Sequence, residues 1–202
     1  MTPRAAPMAP DERRQALIDA VIPLLVSHGA SVTTRQIAEA AGVAEGTIFR
    51  VFPDKCALLH AAAHATMDPA AGRRELGKID PALDLEGTAR IVAAYLLERM
   101  DTVMAVMMAV RGLPQADVPR PPGREGPPEF VIEANRALLD VLTEVFEHHH
   151  EELRVPPERA ALIVRSLVFG SRHPGMADAP TLTADEIATV LVSGIAQARR
   201  AR

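Results

Sequence analysis

The sequence of 202 residues predicts an all-α protein. Apolar residues recur at i, i+3, i+4 and i+7 in several windows, which is the spacing of one buried helix face. Aromatic residues make up only 3% of the chain, and period-2 alternation of the kind that marks strands is rare. We therefore expect about nine helices and no sheet.

Composition indicates a soluble globular protein, since 48% of the residues are hydrophobic and 24% are charged. Cys56 is the single cysteine, so an intrachain disulfide is excluded and a reducing compartment is indicated. The sequence has no apolar run of the roughly 18 residues that span a bilayer, and its first ten residues do not resemble a signal peptide. We expect a cytoplasmic protein without a membrane partner.

The N-terminal part is expected to form four helices after a disordered arm at residues 1–10. Their predicted ranges are Asp11–His28, Thr33–Ala41, Ala44–Val51 and a segment from Pro53 to about Met67. Gly29 is expected to cap the first helix, and Pro23 to kink it or delay its start. Thr33 and Gln36 have the spacing of a capping box at the start of the second helix.

Beyond these helices, Asp68–Asp80 is polar with two glycines and is expected to be a hinge or loop. Five more helices are predicted at Leu85–Met100, Thr102–Arg111, Pro128–Leu153, Pro157–Gly170 and Ala184–Arg200. Thr183 and Glu186 have the spacing of a second capping box. The proline- and glycine-rich connections at 113–128 and 170–182 are expected to be long loops.

The segment Thr33–Leu59 (TTRQIAEAAGVAEGTIFRVFPDKCALL) carries the functional signal. Two short helices meet at Gly42, where a tight turn favours a residue without a Cβ. Their apolar residues are spaced to bury one face of each helix on a shared core. The outward face of the third helix has small side chains at its start, so it can enter a DNA major groove about 12 Å wide.

This segment resembles the DNA-binding signature of the TetR family of bacterial regulators, in the pattern I-A-x-x-A-G-V-x-x-G-T-I-F-x-x-F-P-x-K-x-x-L. The resemblance implies a three-helix DNA-binding domain at residues 11–55 and a ligand-sensing and dimerisation domain at 56–202. Some DNA-binding residues are implied by the resemblance, and others are expected because they lie on the outward face of the third helix. Together they are Thr33, Thr34, Arg35, Ala44, Glu45, Gly46, Thr47, Phe49, Arg50 and Lys55. The family usually has Tyr or His at the position of Phe49, so one polar contact to the DNA backbone is lost here.

The resemblance also implies that the last two helices of two subunits pack as a four-helix bundle. Both predicted helices are apolar with small residues that permit close crossing, although the same pattern suits a core within one chain. The expected interface residues are Leu162, Ser166, Phe169, Val190, Leu191 and Gly194. A homodimer would match the two-fold symmetry of a palindromic operator in double-stranded DNA.

Four methionines lie on one stripe of a predicted helix, and methionine suits a pocket for apolar ligands of several shapes. A methionine stripe is, however, more often plain core packing. The candidate pocket for an unknown small-molecule effector comprises Tyr95, Met100, Met104, Met107, Met108, Arg111, Phe130, Asn135 and Phe146.

No cofactor, metal or catalytic site is predicted. His60 and His64 have a spacing that can bind zinc, but no third ligand is evident, and His148–His150 are expected to be solvated. Nucleophile-elbow, Walker and dinucleotide-binding patterns are lacking in the sequence. The primary interpretation is a ligand-released DNA-binding repressor that is not an enzyme. The alternatives are a helical small-molecule carrier without DNA function and a metal-dependent enzyme using His60 and His64.

Overall fold

The computed structural model describes residues 9–113, 127–173 and 180–195, and these residues confirm the predicted all-α class. They form nine α-helices and one 3-10 turn at Gly29–Ser31. The helices are α1 (Pro10–His28), α2 (Thr34–Ala40), α3 (Glu45–Val51), α4 (Lys55–Thr66), α5 (Pro69–Leu76), α6 (Leu85–Arg111), α7 (Glu129–Glu147), α8 (Pro157–Ser171) and α9 (Ala184–Ile195). Most of the predicted N-terminal arm lies outside the described residues.

The chain divides into two compact units, each made of separate segments. Within the described residues, the first unit holds 9–67 and 102–113, and the second holds 68–101, 127–173 and 180–195. The first unit therefore includes all of α4 and the C-terminal part of α6. The predicted boundary at residue 55, between the DNA-binding domain and the sensing and dimerisation domain, stays a prediction. A compact unit and a functional domain need not share a boundary.

The core of the first unit is built on α1. Leu17, Val21 and Leu25 are fully buried on one face of this helix, as the periodicity predicted. The other helices of the unit cover that face with Ile37, Ala38, Ile48, Phe52, Leu58, Leu59, Ala62, Val106 and Ala109. Val106 and Ala109 come from α6, about forty residues after the rest of this core, and they complete it.

The core of the second unit lies mainly between α7 and α8, with α5, α6 and α9 packed around them. Leu142 and Phe146 of α7 and Val164 of α8 are fully buried. Burial of a large apolar side chain contributes about 1.5–3 kcal/mol, so these residues supply much of the stability of this unit.

Three sequence predictions about helix bounds are wrong. The segment predicted as a loop at 68–80 contains α5, because Asp68 caps it by accepting from the Ala70 N–H and Pro69 suits its first position. Residues 85–111 form one helix, because the charged residues near Met100 do not break helices. Helix α7 ends at Glu147, not Leu153. Helix α1 runs through Pro23 without interruption, so its regular part is not delayed, and a kink at Pro23 stays a prediction.

The second predicted capping box is confirmed at the start of α9. The Thr183 N–H and hydroxyl both donate to Glu186 Oε2, at 2.8 and 2.9 Å, and the Glu186 N–H donates to the Thr183 hydroxyl. The hydrogen bonds from the Thr183 backbone and side chain hold the pKa of Glu186 below its ordinary value. This support of α9 is therefore present above the ordinary carboxyl pKa and is lost as the pH falls through the lowered one.

The turn between α2 and α3 gives the first testable prediction. Gly42 has φ +66°, in the left-handed region, so Gly42→Ala is expected to lower the free energy of unfolding by about 1 kcal/mol. Gly46→Ala is the matched control, because Gly46 has an ordinary φ and open space at its Cβ. Chemical denaturation should show a loss for Gly42→Ala and no loss for Gly46→Ala. Equal losses would contradict the assigned role of Gly42.

Candidate nucleic-acid interface

The helices α2 and α3 form a helix-turn-helix around Gly42. The Val43 N–H donates to the Ala38 carbonyl at 2.9 Å, which closes the turn directly after the glycine. Ile37, Ala38 and Ile48 fix the two helices on the core of the first unit, with Ile37 and Ile48 fully buried. The opposite face of α3 is left outward.

The predicted DNA-binding residues lie on this outward face or at its edges. Arg35, Ala44, Glu45, Gly46 and Arg50 are exposed, and Thr47 is half-buried. Phe49 is 52% exposed, so about half of this aromatic side chain is open to solvent on the outward face. A ligand or partner surface that covers α3 would bury this ring.

Thr33 and Thr34 both form hydrogen bonds within the domain, and these bonds position α2 and α3. Thr33 and Gln36 form the predicted capping box, in which the Gln36 N–H donates to the Thr33 hydroxyl at 3.2 Å and the Thr33 N–H to Gln36 Oε1 at 2.8 Å. The Thr34 hydroxyl donates to Glu45 Oε1 at 2.5 Å. This second contact joins the start of α2 to the start of α3, and sequence spacing gave no indication of it.

Lys55 has a partner that the sequence did not predict. Its ammonium group donates to the Ala30 carbonyl at 2.9 Å in a partly buried site. The bond connects the first turn of α4 to the segment that follows α1. Lys55 therefore stabilises the domain, and a phosphate contact by the same ammonium would have to be shared with this carbonyl.

The second unit contains a cavity of about 260 Å³ between α5, the start of α6 and the end of α7. Its apolar wall includes Leu76, Ile79, Val141 and Val145. Its polar lining residues are Arg73, Asp80, Thr88, Glu144, His148 and His149. A cavity with apolar walls and a few polar groups is the usual form of a small-molecule site.

His149 corrects the prediction that all three consecutive histidines are solvated. It is only 6% exposed, with Nε2 at 3.0 Å from the Thr88 hydroxyl and Nδ1 at 2.7 Å from Glu152 Oε1. His148 and His150 are exposed, as expected. The prediction failed because α7 ends at Glu147, so the following turn directs His149 inward.

The nine residues of the predicted effector pocket do not line this cavity. Met107 packs against the core of the first unit, and Met100 and Tyr95 against that of the second. Met108 is 65% exposed, Arg111 and Asn135 are exposed, Met104 and Phe130 are half-buried, and Phe146 is fully buried. A shared pocket for these residues stays a prediction.

Five of the six predicted dimer residues keep surface open to solvent, and one does not. Phe169 is 54% exposed and Val190 61%, Ser166 and Gly194 are also exposed, and Leu162 is half-buried. Leu191 is 1% exposed, so it belongs to the core of its own chain and its assignment to an interface is wrong. The helical repeat turns its side chain inward, away from that of Val190.

Within 9–113, 127–173 and 180–195, no group of three or more His, Cys, Asp or Glu side chains could hold a metal ion. His60 and His64 are both exposed on α4. In the same parts of the chain, no helix is long and apolar enough to cross a membrane.

Comparisons with known proteins agree with this architecture. Residues 17–62 match the family model described as bacterial regulatory proteins, tetR family. This range covers α2, α3, Gly42 and Lys55. A comparison with curated proteins gave no match.

Solved structures resemble the whole chain at low sequence identity. A chain assigned to the TetR family from Mesorhizobium loti is 14% identical and has a TM-score of 0.60, with 95% of this chain and 100% of that chain covered. A TetR transcriptional regulator from Streptomyces coelicolor is 18% identical, with a TM-score of 0.55 and coverages of 91% and 98%. The TetR-like regulator LfrR from Mycobacterium smegmatis, solved with proflavine, is 20% identical, with a TM-score of 0.52 and coverages of 90% and 95%.

The fold is therefore that of a helix-turn-helix transcriptional regulator with a helical body. Residues 17–62 match the TetR family, which confirms the resemblance predicted from the sequence.

The contact of Lys55 gives the second testable prediction. Lys55→Met is expected to lower the free energy of unfolding by about 1–2 kcal/mol, because the Ala30 carbonyl would lose its donor. Arg50→Met is the matched control, since Arg50 is exposed and should leave stability within about 0.5 kcal/mol. Thermal or urea unfolding measures both. Unchanged stability of Lys55→Met would show that the lysine is free for another partner.

Proposed function

We propose that the protein is a homodimeric DNA-binding transcriptional repressor that a small molecule releases from its operator. The observation that carries the proposal is the outward face of α3, where Arg50, Phe49 and Gly46 are exposed on a helix-turn-helix fixed from behind. Helix α3 would lie in the major groove, and Arg35 and Arg50 would contact phosphates. Sequence readout would come from the small residues at the start of α3.

The dimer is proposed from the exposed apolar residues of α8 and α9. Phe169 and Val190 leave more than half of their surface open to solvent. A second subunit would cover this apolar surface and remove it from water. Two copies of this face would form a four-helix bundle and place two α3 helices about 34 Å apart, in successive major grooves. An effector bound in the body would change this spacing through α4 and lower the affinity for DNA.

A helical carrier without DNA function is the second candidate. The specific observation in its favour is Phe49, which has no hydroxyl for a phosphate although the ring is half exposed. A metal-dependent enzyme has less support, because His60 and His64 lack a third ligand among the described residues. We propose that the protein is not an enzyme.

A DNA titration with the duplex upstream of its own gene, at several salt concentrations, tests DNA binding. Wild type is expected to bind with an affinity that falls with salt, because each phosphate contact releases counterions. Arg50→Ala is expected to bind about tenfold more weakly and to reduce the salt slope by about two, one for each subunit. The control is Arg74→Ala, an exposed arginine of α5 in the second unit, which should change neither value.

The outcome of this titration separates the two candidates. If wild type binds neither the upstream duplex nor a random-sequence pool, the carrier becomes the better assignment. If Arg74→Ala weakens binding as much as Arg50→Ala does, α3 is not the DNA-binding surface.

The dimer face is tested by sedimentation of charged variants. Phe169→Glu and Val190→Glu each introduce a carboxylate on the proposed bundle and are expected to shift a dimer to a monomer. Ile132→Glu is the control, because Ile132 of α7 is 49% exposed and outside the proposed face. A dimer that persists in both test variants would show that the subunits associate elsewhere.

A further inference from the structure

We infer that the cavity of the second unit binds small amines: a protonated amino group beside Glu144 and Asp80, and an apolar body against α7. The inference rests on the proposed function in one respect only, namely that such an amine is then the effector. Binding itself requires no DNA function.

The shape and walls of the cavity argue for a small ligand with one apolar part. A volume of about 260 Å³ holds a compact molecule, such as one ring with a short tail. Of the apolar wall, Ile79 and Val145 are only half-buried, so they offer surface that a ligand can contact. Contact with this wall would supply the hydrophobic part of the affinity.

The charges of the lining residues favour a cationic ligand over an anionic one. Asp80 and Glu144 contribute two negative charges to the lining, and Arg73 contributes one positive charge. Arg73 Nη1 already donates to both oxygens of Glu144, at 2.6 and 3.0 Å. An anionic ligand would have to displace this carboxylate and would also meet Asp80. An ammonium group can add to the same carboxylates without displacing Arg73.

The buried residues Thr88 and His149 add a fixed polar part to the lining. His149 Nδ1 lies 2.7 Å from Glu152 Oε1, and its Nε2 lies 3.0 Å from the Thr88 hydroxyl. Both ring nitrogens therefore have hydrogen-bond partners within the chain, so the charge preference of the cavity rests on Asp80, Glu144 and Arg73.

Calorimetry with three probes of similar size and different charge tests the inference on the purified full chain without DNA. The probes are 2-phenylethylamine, 2-phenylethanol and phenylacetate. Wild type is expected to bind the amine at least about fivefold more tightly than the alcohol, and phenylacetate most weakly. Chemical-shift changes of the His149 ring on addition of the amine would place it in this cavity.

The variant Glu144→Gln is expected to reverse the preference. It removes a carboxylate that is 58% exposed, and it releases Arg73, so the amine should bind about fivefold more weakly and phenylacetate more tightly. Glu147→Gln is the matched control on the same helix, because Glu147 is exposed and does not line the cavity. The control should bind all three probes as wild type does.

Three results would overturn the inference: no binding of the amine, tighter binding of phenylacetate by wild type, or the same change in Glu144→Gln and Glu147→Gln. Addition of the amine to the protein–DNA complex is a separate measurement. If the amine binds in the cavity but leaves DNA affinity unchanged, the site stands and the proposed release mechanism is wrong.

Discussion

The orientation of α2 and α3 depends on the burial of both helices against α1. Helices α2 and α3 have seven residues each, and isolated helices of that length are not stable in water. Ile37 and Ile48 hold them on the fully buried face of α1, and Phe52 closes the core with Arg14 4.4 Å above its ring. The orientation of the DNA-facing side chains is therefore a property of this core and not of the two helices alone.

Features set by neighbouring residues could be predicted from the sequence. The Gly42 turn and the capping boxes at Thr33 and Thr183 depend on residues within three or four positions, and the structure confirms all three. The TetR-family domain could be recognised for the same reason, since its signature is continuous. The exposed face of α3 followed from the period of its apolar residues.

Features that depend on distant packing could not be predicted. His149 is buried because the chain turns after α7 and brings it to Thr88, sixty-one residues away in sequence. The Lys55 ammonium donates to the Ala30 carbonyl, twenty-five residues away in sequence, and Arg73 of α5 forms an ion pair with Glu144 of α7. The division of the methionine stripe on α6 could not be predicted for a related reason, because one helix contributes its residues to two separate cores.

The contribution of Val106 and Ala109 to the first core has a consequence for how such proteins can be divided. A fragment that stops after α4 would keep the whole helix-turn-helix but would leave an opening where these side chains pack. Exchange of the sensing half between regulators by a single crossover near residue 67 would create the same opening, unless the incoming helix carried matching residues. Recombination that preserves the DNA-binding domain must therefore retain two distant stretches of sequence, and the evolution of the two halves is coupled through α6.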